Sequence, residues 1–236
     1  MNVSLKRIQA IFIKDYKEFS RNYAVSIMIL FPIAFALLYR SEAGDQAAIY
    51  AFIMNFSLAM LTSFVQACLI AEEKERNTLR SLMMTPASML DVLIGKSALV
   101  FLISAAVLAF STYLFGYETS NVMLLTAALG ISILLYTAIG TICGLYSKTL
   151  LEASLSVFPV LIIFTAGPFA LVFEEQYPFL EVLRYLPSSQ LSELLVAMEI
   201  GAAAGELATP LIIITVWAVV LTVISFILYK KRLMDQ

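Results

Sequence analysis

The feature that most constrains this chain is a series of apolar runs that contain no Asp, Glu, Lys or Arg. They are Tyr23 to Tyr39, Ala47 to Ala71, Ser97 to Phe115, Val122 to Tyr146, Ala153 to Phe173 and Leu207 to Tyr229, of 17 to 25 residues each. About 20 apolar residues in a helix span the ~30 Å hydrocarbon layer of a bilayer. Within that layer a helix satisfies every backbone group internally. The six runs therefore predict an all-α integral membrane protein with six transmembrane helices. With 61% apolar and 14% charged residues, the chain also exceeds the roughly half-apolar content of soluble domains.

The same composition removes whole classes of chemistry. There is no His, which excludes His-based metal sites, Ser-His or Cys-His nucleophile pairs and imidazole proton relays. Cys68 and Cys143 lie inside apolar runs and read as packing residues, not as a ligand set or disulfide framework. Runs without ionisable residues argue against an ion-coupled carrier and an intramembrane enzyme, which need such groups near the midplane. Gly95-Lys96-Ser97 looks like the end of a phosphate-binding loop, but the pattern needs Gly where Leu90 stands and a preceding strand. We expect no catalytic residue, metal ligand or cofactor on this chain. At a net charge of -2 we also expect no nucleic-acid partner.

The charges between the runs set the topology. Thirteen of the fifteen Lys and Arg fall in the N-terminal segment, the loops after runs two and four, and the C-terminal tail; the other side holds only Arg40 and Arg184. The positive-inside rule then predicts a multi-pass plasma-membrane protein with both termini cytoplasmic. Asp15 and Glu18 in the N-terminal segment argue against a cleaved signal peptide. Run two is expected to stop at Ala71, because Glu72, Glu73, Lys74, Glu75 and Arg76 follow unbroken. Burying that cluster in hydrocarbon would cost upwards of ~10 kcal/mol. Tyr23, Tyr39, Tyr50, Tyr113, Tyr117, Tyr146 and Tyr229 lie near run ends, as expected of rings at headgroup level.

Three intervening segments are patterned. Over residues 1–21, Leu5, Ile8, Ile11, Phe12, Tyr16 and Phe19 recur at helical spacing opposite Lys and Arg. This predicts an amphipathic helix at the cytoplasmic interface, held by membrane lipids or packed on other cytoplasmic elements. The external segment 174–206 has breakers at Pro178 and Pro187 and two sets of apolar positions, Phe179, Val182, Leu183, Leu186 and Leu191, Leu194, Leu195, Met198. It predicts two short amphipathic helices, the second begun by Ser188 or Ser189, serving as a structural lid or a gate. The cytoplasmic segment 72–96 predicts an elbow. One helix continues from run two to Thr85-Pro86, and a second opens on a Ser88-Asp91 capping box. An amphipathic elbow with a dense charge cluster is shaped to be gripped by a soluble partner, and a transporter with charge-free spans must borrow its energy from such a partner.

The spans themselves carry weak polar texture. Asn55, Thr62 and Gln66 are spaced by seven and four, which puts them on one helix face. Such a face either lines a pathway or hydrogen-bonds to a neighbouring helix. Phe158, Pro159, Phe164, Thr165, Gly167, Pro168 and Phe169 predict a kink or break towards the outer end of span five. Span four holds Gly140-x-x-x-Gly144, a close-packing motif.

The elbow residues Glu73-Lys74-Glu75-Arg76-Asn77-Thr78-Leu79, Thr85-Pro86-Ala87-Ser88 and Gly95-Lys96 resemble the acidic-basic, Thr-Leu, Pro, Gly-Lys progression of ABC-2 type exporter membrane subunits. The six-span layout, the N-terminal helix and Leu186-Pro187 extend the resemblance over the chain, 1–236, as one transmembrane domain. Asn77 replaces a Gly common in the family, and Asn tolerates the left-handed region better than most residues. The resemblance implies that the elbow is a coupling helix seated in a separately encoded ABC ATP-binding subunit. Glu72, Glu73, Lys74, Glu75, Arg76, Thr78, Leu79, Leu82 and Pro86 would be its coupling residues. It implies two ATP-binding subunits carrying Mg-ATP and two membrane subunits, expected as a homodimer. It implies a pathway lined by spans two and five, with Asn55, Thr62, Gln66, Phe158, Phe164 and Phe169 as candidate lining. Uncharged spans suit outward movement of a hydrophobic or amphipathic cargo. Two rival readings are the membrane subunit of a vitamin importer, which would meet its partner through small residues, and a non-transporting scaffold or immunity protein, for which the elbow would be dispensable.

Overall fold

At Asn22 the chain leaves helical geometry (φ -93°, ψ 85°) and turns through 88° between α1 (Leu5–Arg21) and α2 (Tyr23–Leu38). The Ser26 hydroxyl fastens the bend, donating to the carbonyls of Phe19 at 2.6 Å and Asn22 at 3.0 Å. The structure, a computed structural model, describes residues 4–40, 45–76, 88–119 and 121–234. The remaining helices are α3 (Gln46–Glu75), α4 (Met89–Phe115), α5 (Val122–Tyr146), α6 (Leu150–Phe173), α7 (Pro187–Glu199) and α8 (Ala204–Met234). Among the described residues there is no strand. Five helices, α3, α4, α5, α6 and α8, are long and apolar enough to cross a membrane, and the bent α1–α2 pair brings the number to six. The all-α membrane architecture read from the sequence is the one observed.

The core forms around α3. Tyr50, Ile53, Met54 and Leu58 pack with Leu125, Ile133 and Tyr136 of α5 and with Leu191, Leu194 and Leu195 of α7. Near its middle α3 widens into a π-helical turn, Leu58–Ser63. α6 and α8 are the opposite case: most of their apolar surface faces outward, as at Leu155, Phe158 and Ile162 or at Val216, Val219 and Val223. Buried apolar stripes on one set of helices and exposed ones on another suit a bundle whose surroundings are lipid or further subunits.

Several boundaries depart from the sequence reading. α3 continues out of run two to Glu75 as expected, but Glu72 and Glu73 are buried within the protein. α4 opens on the expected capping box, with the Asp91 amide donating to Ser88 Oγ at 3.1 Å and the Ser88 amide to Asp91 Oδ2 at 2.8 Å. Asp91 Oδ1 also receives the Ser4 amide at 2.9 Å, so the same carboxylate pins the start of α1. α1 lies against α4 instead of resting on lipid alone: a Cβ on Gly95 would stand 2.9 Å from Ile11 Cγ2. Leu5 and Tyr16 remain exposed, while Asp15, on the packed face, is fully buried. The helix after Pro187 starts at Pro187 itself with Leu186 as its N-cap, not at Ser188 or Ser189. Proline is suited to that first position because its missing N–H would be unbonded anyway. The first of the two short helices expected in 174–206 is a 3-10 helix, Pro178–Tyr185, and leaves Phe179 and Val182 exposed. Tyr50 and Tyr229 do not join an aromatic belt: both are buried. Tyr50 donates or accepts a hydrogen bond with Thr112 at 2.7 Å and stacks on Tyr117.

Candidate functional site

Charged side chains from α1, α3 and α4 meet at the base of the elbow. Lys96 Nζ, on α4, lies 3.1 Å from Asp15 Oδ2 on α1 and 3.0 Å from Glu73 Oε1 on α3. Lys14 Nζ, on α1, lies 3.1 Å from Asp15 Oδ1 and 2.5 Å from Glu73 Oε1. Glu73, part of the elbow's dense charge cluster, is enclosed among these partners. The burial penalty that argued for ending run two at Ala71 is met at Glu73 by paired opposite charges. Burial opposes the Lys14 charge, but Glu73 and Asp15 outweigh it and hold the ammonium's pKa above its ordinary value.

The rest of the cluster also has duties within the subunit. Lys74 Nζ donates to the carbonyls of Leu145, at 2.7 Å, and Ser147, where α5 ends. Glu75 accepts the Leu150 amide at 2.8 Å, closing the first turn of α6, and Arg76 pairs with Glu72 at 2.6 Å. Of the five, Glu75 and Arg76 are the exposed ones. They border an open cavity of about 670 Å³ with Lys14, Lys17, Glu18 and Arg21. Thr78, Leu79, Leu82 and Pro86 lie outside the described residues.

Asn55, Thr62 and Gln66 do not share one face. The π turn Leu58–Ser63, which contains Thr62, takes wider i→i+5 bonding and so shifts Asn55 out of phase with the residues that follow. Asn55 Nδ2 donates to the Ser188 carbonyl and Ser192 Oγ of α7 at 2.9 and 3.0 Å. Thr62 Oγ1 donates to Ser104 Oγ of α4 at 2.9 Å, and Gln66 Nε2 to Thr141 Oγ1 of α5 at 3.0 Å. Each polar group fastens a different helix to α3. Phe164 packs edge-on against Tyr136, and Phe158 points outward from α6.

Asn55 and Phe169 meet elsewhere, at an apolar cavity of about 530 Å³ between α3, α6 and α7, at the end of the bundle away from the elbow. Phe52, Pro168, Val172 and Val196 line it, with Arg184 and Glu193 as its charged members. Phe52 and Phe169 face each other across the α3–α6 seam with ring centroids 5.7 Å apart. α6 does not break at Pro159 or Pro168; it tightens into a 3-10 turn over Leu171–Phe173, at the cavity's edge.

Five helices long and apolar enough to cross a membrane, six with the bent α1–α2 pair, and a short helix before the last are accompanied by a sequence match. Residues 39–227 match the family described as ABC-2 family transporter protein. The chain belongs to that family. No curated protein matches it. As an ABC-2 family member it is a permease component of an ABC transporter, and ATP hydrolysis is not its own task. The family implies association with an ABC ATP-binding subunit.

Two features of this ABC-2 permease were not found from sequence. The sequence reading takes Asp15, with Glu18, only as evidence against a signal peptide and Lys96 only as the Gly-Lys end of the elbow and of a false phosphate motif, although the position of Asp15 between Ile11 and Phe19 on the buried face is a usable signal. The cavity carries none, because its lining comes from three separated helices.

Proposed function

We propose that this permease moves a hydrophobic or amphipathic cargo outward by alternating access, driven by two copies of a separate ATP-binding subunit, with a second copy of this chain completing the membrane unit. The observation that carries the cargo class is the cavity between α3, α6 and α7. It is large enough for a small amphiphile, its walls are predominantly apolar, and its two charged members, Arg184 and Glu193, are of opposite sign. A bare ion or multiply charged glycan would need polar compensation that such walls do not offer. Asn55 and Phe169 are the candidate lining residues that this reading retains. Thr62 and Gln66, each bonded to a neighbouring helix, take the role of fastening α3.

The basic end of the bundle supports a cytoplasmic elbow with both termini on the same side. Glu75 and Arg76, exposed beside the last described residues before the elbow, are the side chains offered to the ATP-binding subunit, which carries the Mg-ATP. Glu72, Glu73 and Lys74 act behind them by fixing the helix that presents the elbow. Thr78, Leu79, Leu82 and Pro86 complete the proposed coupling surface.

Gentle extraction of the tagged chain from its native membrane tests this reading. A stoichiometric Mg-ATPase should co-purify and be released by Glu75→Ala with Arg76→Ala, with the permease still in the membrane, because rim charges govern docking. No ATPase in several mild detergents or nanodiscs would point to a scaffold. Normal resistance to amphipathic drugs and peptides with lost sodium tolerance, in cells lacking the protein, would overturn the cargo class.

A further inference from the structure

Glu73 and Lys96 sit on the helices that enter and leave the elbow, and both hold α1. Asp15, Glu73 and Lys96 are almost completely enclosed, at 0, 1 and 1% side-chain exposure, and Lys14 closes the group from the rim at 32%. Two ammonium groups face two carboxylates, so the charges cancel. Apolar side chains of similar volume hold helices together at least as well as a buried ion pair, so stability alone gives no reason for charges here. Ion pairs and hydrogen bonds fix one register, whereas apolar surfaces can slide.

α1 is also held at its other end. Asp91, in the first turn of α4, receives the Ser4 amide at 2.9 Å and lies 3.4 Å from Arg7. α1 is thus fastened to α4 near its start and again at Asp15, and to α3 at the quartet. Beyond Arg21 the chain turns 88° directly into α2, so a shift of α1 becomes a tilt of α2.

We propose that the Asp15–Glu73–Lys96–Lys14 quartet is the joint through which movement of the elbow reaches α1 and then α2, with Asp15, Glu73 and Lys96 as positioning residues for coupled transport. The proposal rests on the exporter reading, in which an ATP-binding subunit moves the elbow.

The test is amide hydrogen exchange on the complete complex, free and trapped with ATP and vanadate, which needs no knowledge of the cargo. In the unmodified complex, trapping should change exchange across residues 5–21 together with the elbow, by about tenfold or more at responsive amides. Glu73→Gln with Lys96→Met removes one charge of each sign and leaves the Asp15–Lys14 pair, so no buried charge is stranded. In that variant the elbow should still respond while α1 does not. Lys96→Arg with Glu73 intact, which keeps the charge, should retain the α1 response. An α1 that responds fully in the double variant overturns the joint. So does an α1 indifferent to nucleotide in the unmodified complex, a result that stands even where the double variant fails to assemble. Failure of the chain to hold any ATPase is a different outcome, and it overturns the exporter reading and the joint with it.

Discussion

A Cβ placed on Gly144 of α5 would stand 2.7 Å from the Ala67 carbonyl oxygen of α3. One helical turn earlier, a Cβ on Gly140 would meet the Ser63 carbonyl oxygen and lie 2.8 Å from Gln66 Cβ. The Gly140-x-x-x-Gly144 motif is therefore spent within the subunit, where it brings α5 onto the backbone of α3. Backbone atoms cannot step aside as a flexible side chain does.

Gly140→Ala and Gly144→Ala should each lower stability by about 1–3 kcal/mol, the usual cost of overpacking. Gly130→Ala is the matched control on the same helix, since nothing lies within 4 Å of the added methyl. Thermal unfolding in one detergent reads the comparison. Equal melting temperatures for Gly130→Ala and Gly144→Ala would contradict it.

Asn55 tethers α3 to α7 through the Ser188 carbonyl and Ser192 Oγ. Asn55→Ala removes both hydrogen bonds, the one to Ser188 buried, and should cost about 1–3 kcal/mol. Ser192→Ala should cost less, because Asn55 keeps its bond to Ser188. Faster amide exchange in α7, with α5 unchanged, would locate the loss where the tether acts.

What the sequence made legible was whatever local chemistry dictates. Apolar run length marks the spans, with Val122 to Tyr146 matching α5 end to end. The Ser88–Asp91 box, three residues apart, is a local signal and is present as expected. What stayed hidden depends on partners distant in the chain. Lys96 and Asp15 are 81 residues apart, so a helix-by-helix reading prices each as a stranded charge and assigns it to solvent. The helical wheel for Asn55, Thr62 and Gln66 assumes 3.6 residues per turn, and the π turn at Leu58–Ser63 invalidates that assumption. Tyr50 and Tyr229 lie near span ends by number, but folding turns both inward. The 530 Å³ cavity requires three helices to be docked before it exists.

Under the proposed function, filling that cavity should stop transport without harming the fold. Ala197 lines it from α7 and is half-buried, so Ala197→Phe places a ring in open space instead of in a packed core. The variant should melt as the parent does, bind its ATPase, and lose protection of cells against amphipathic drugs. Undiminished protection would move the cargo path away from α7.

Lys14 offers a pH test of the quartet's contribution to stability. Its neighbours Glu73 and Asp15 hold its pKa above the ordinary value against the opposing effect of burial. For a base with a raised folded pKa, the stabilisation is complete below the unfolded pKa of about 10.4. It is lost as pH rises from there through the folded value. Lys14→Met lacks the titrating group, so its melting deficit against the parent should be constant from about pH 7 to about pH 9 and should shrink above about pH 10.4. Thermal unfolding of both proteins across that range decides it. A deficit that stays constant above about pH 10.4 would mean that Lys14 stabilises the bundle through its aliphatic stem and not through its charge.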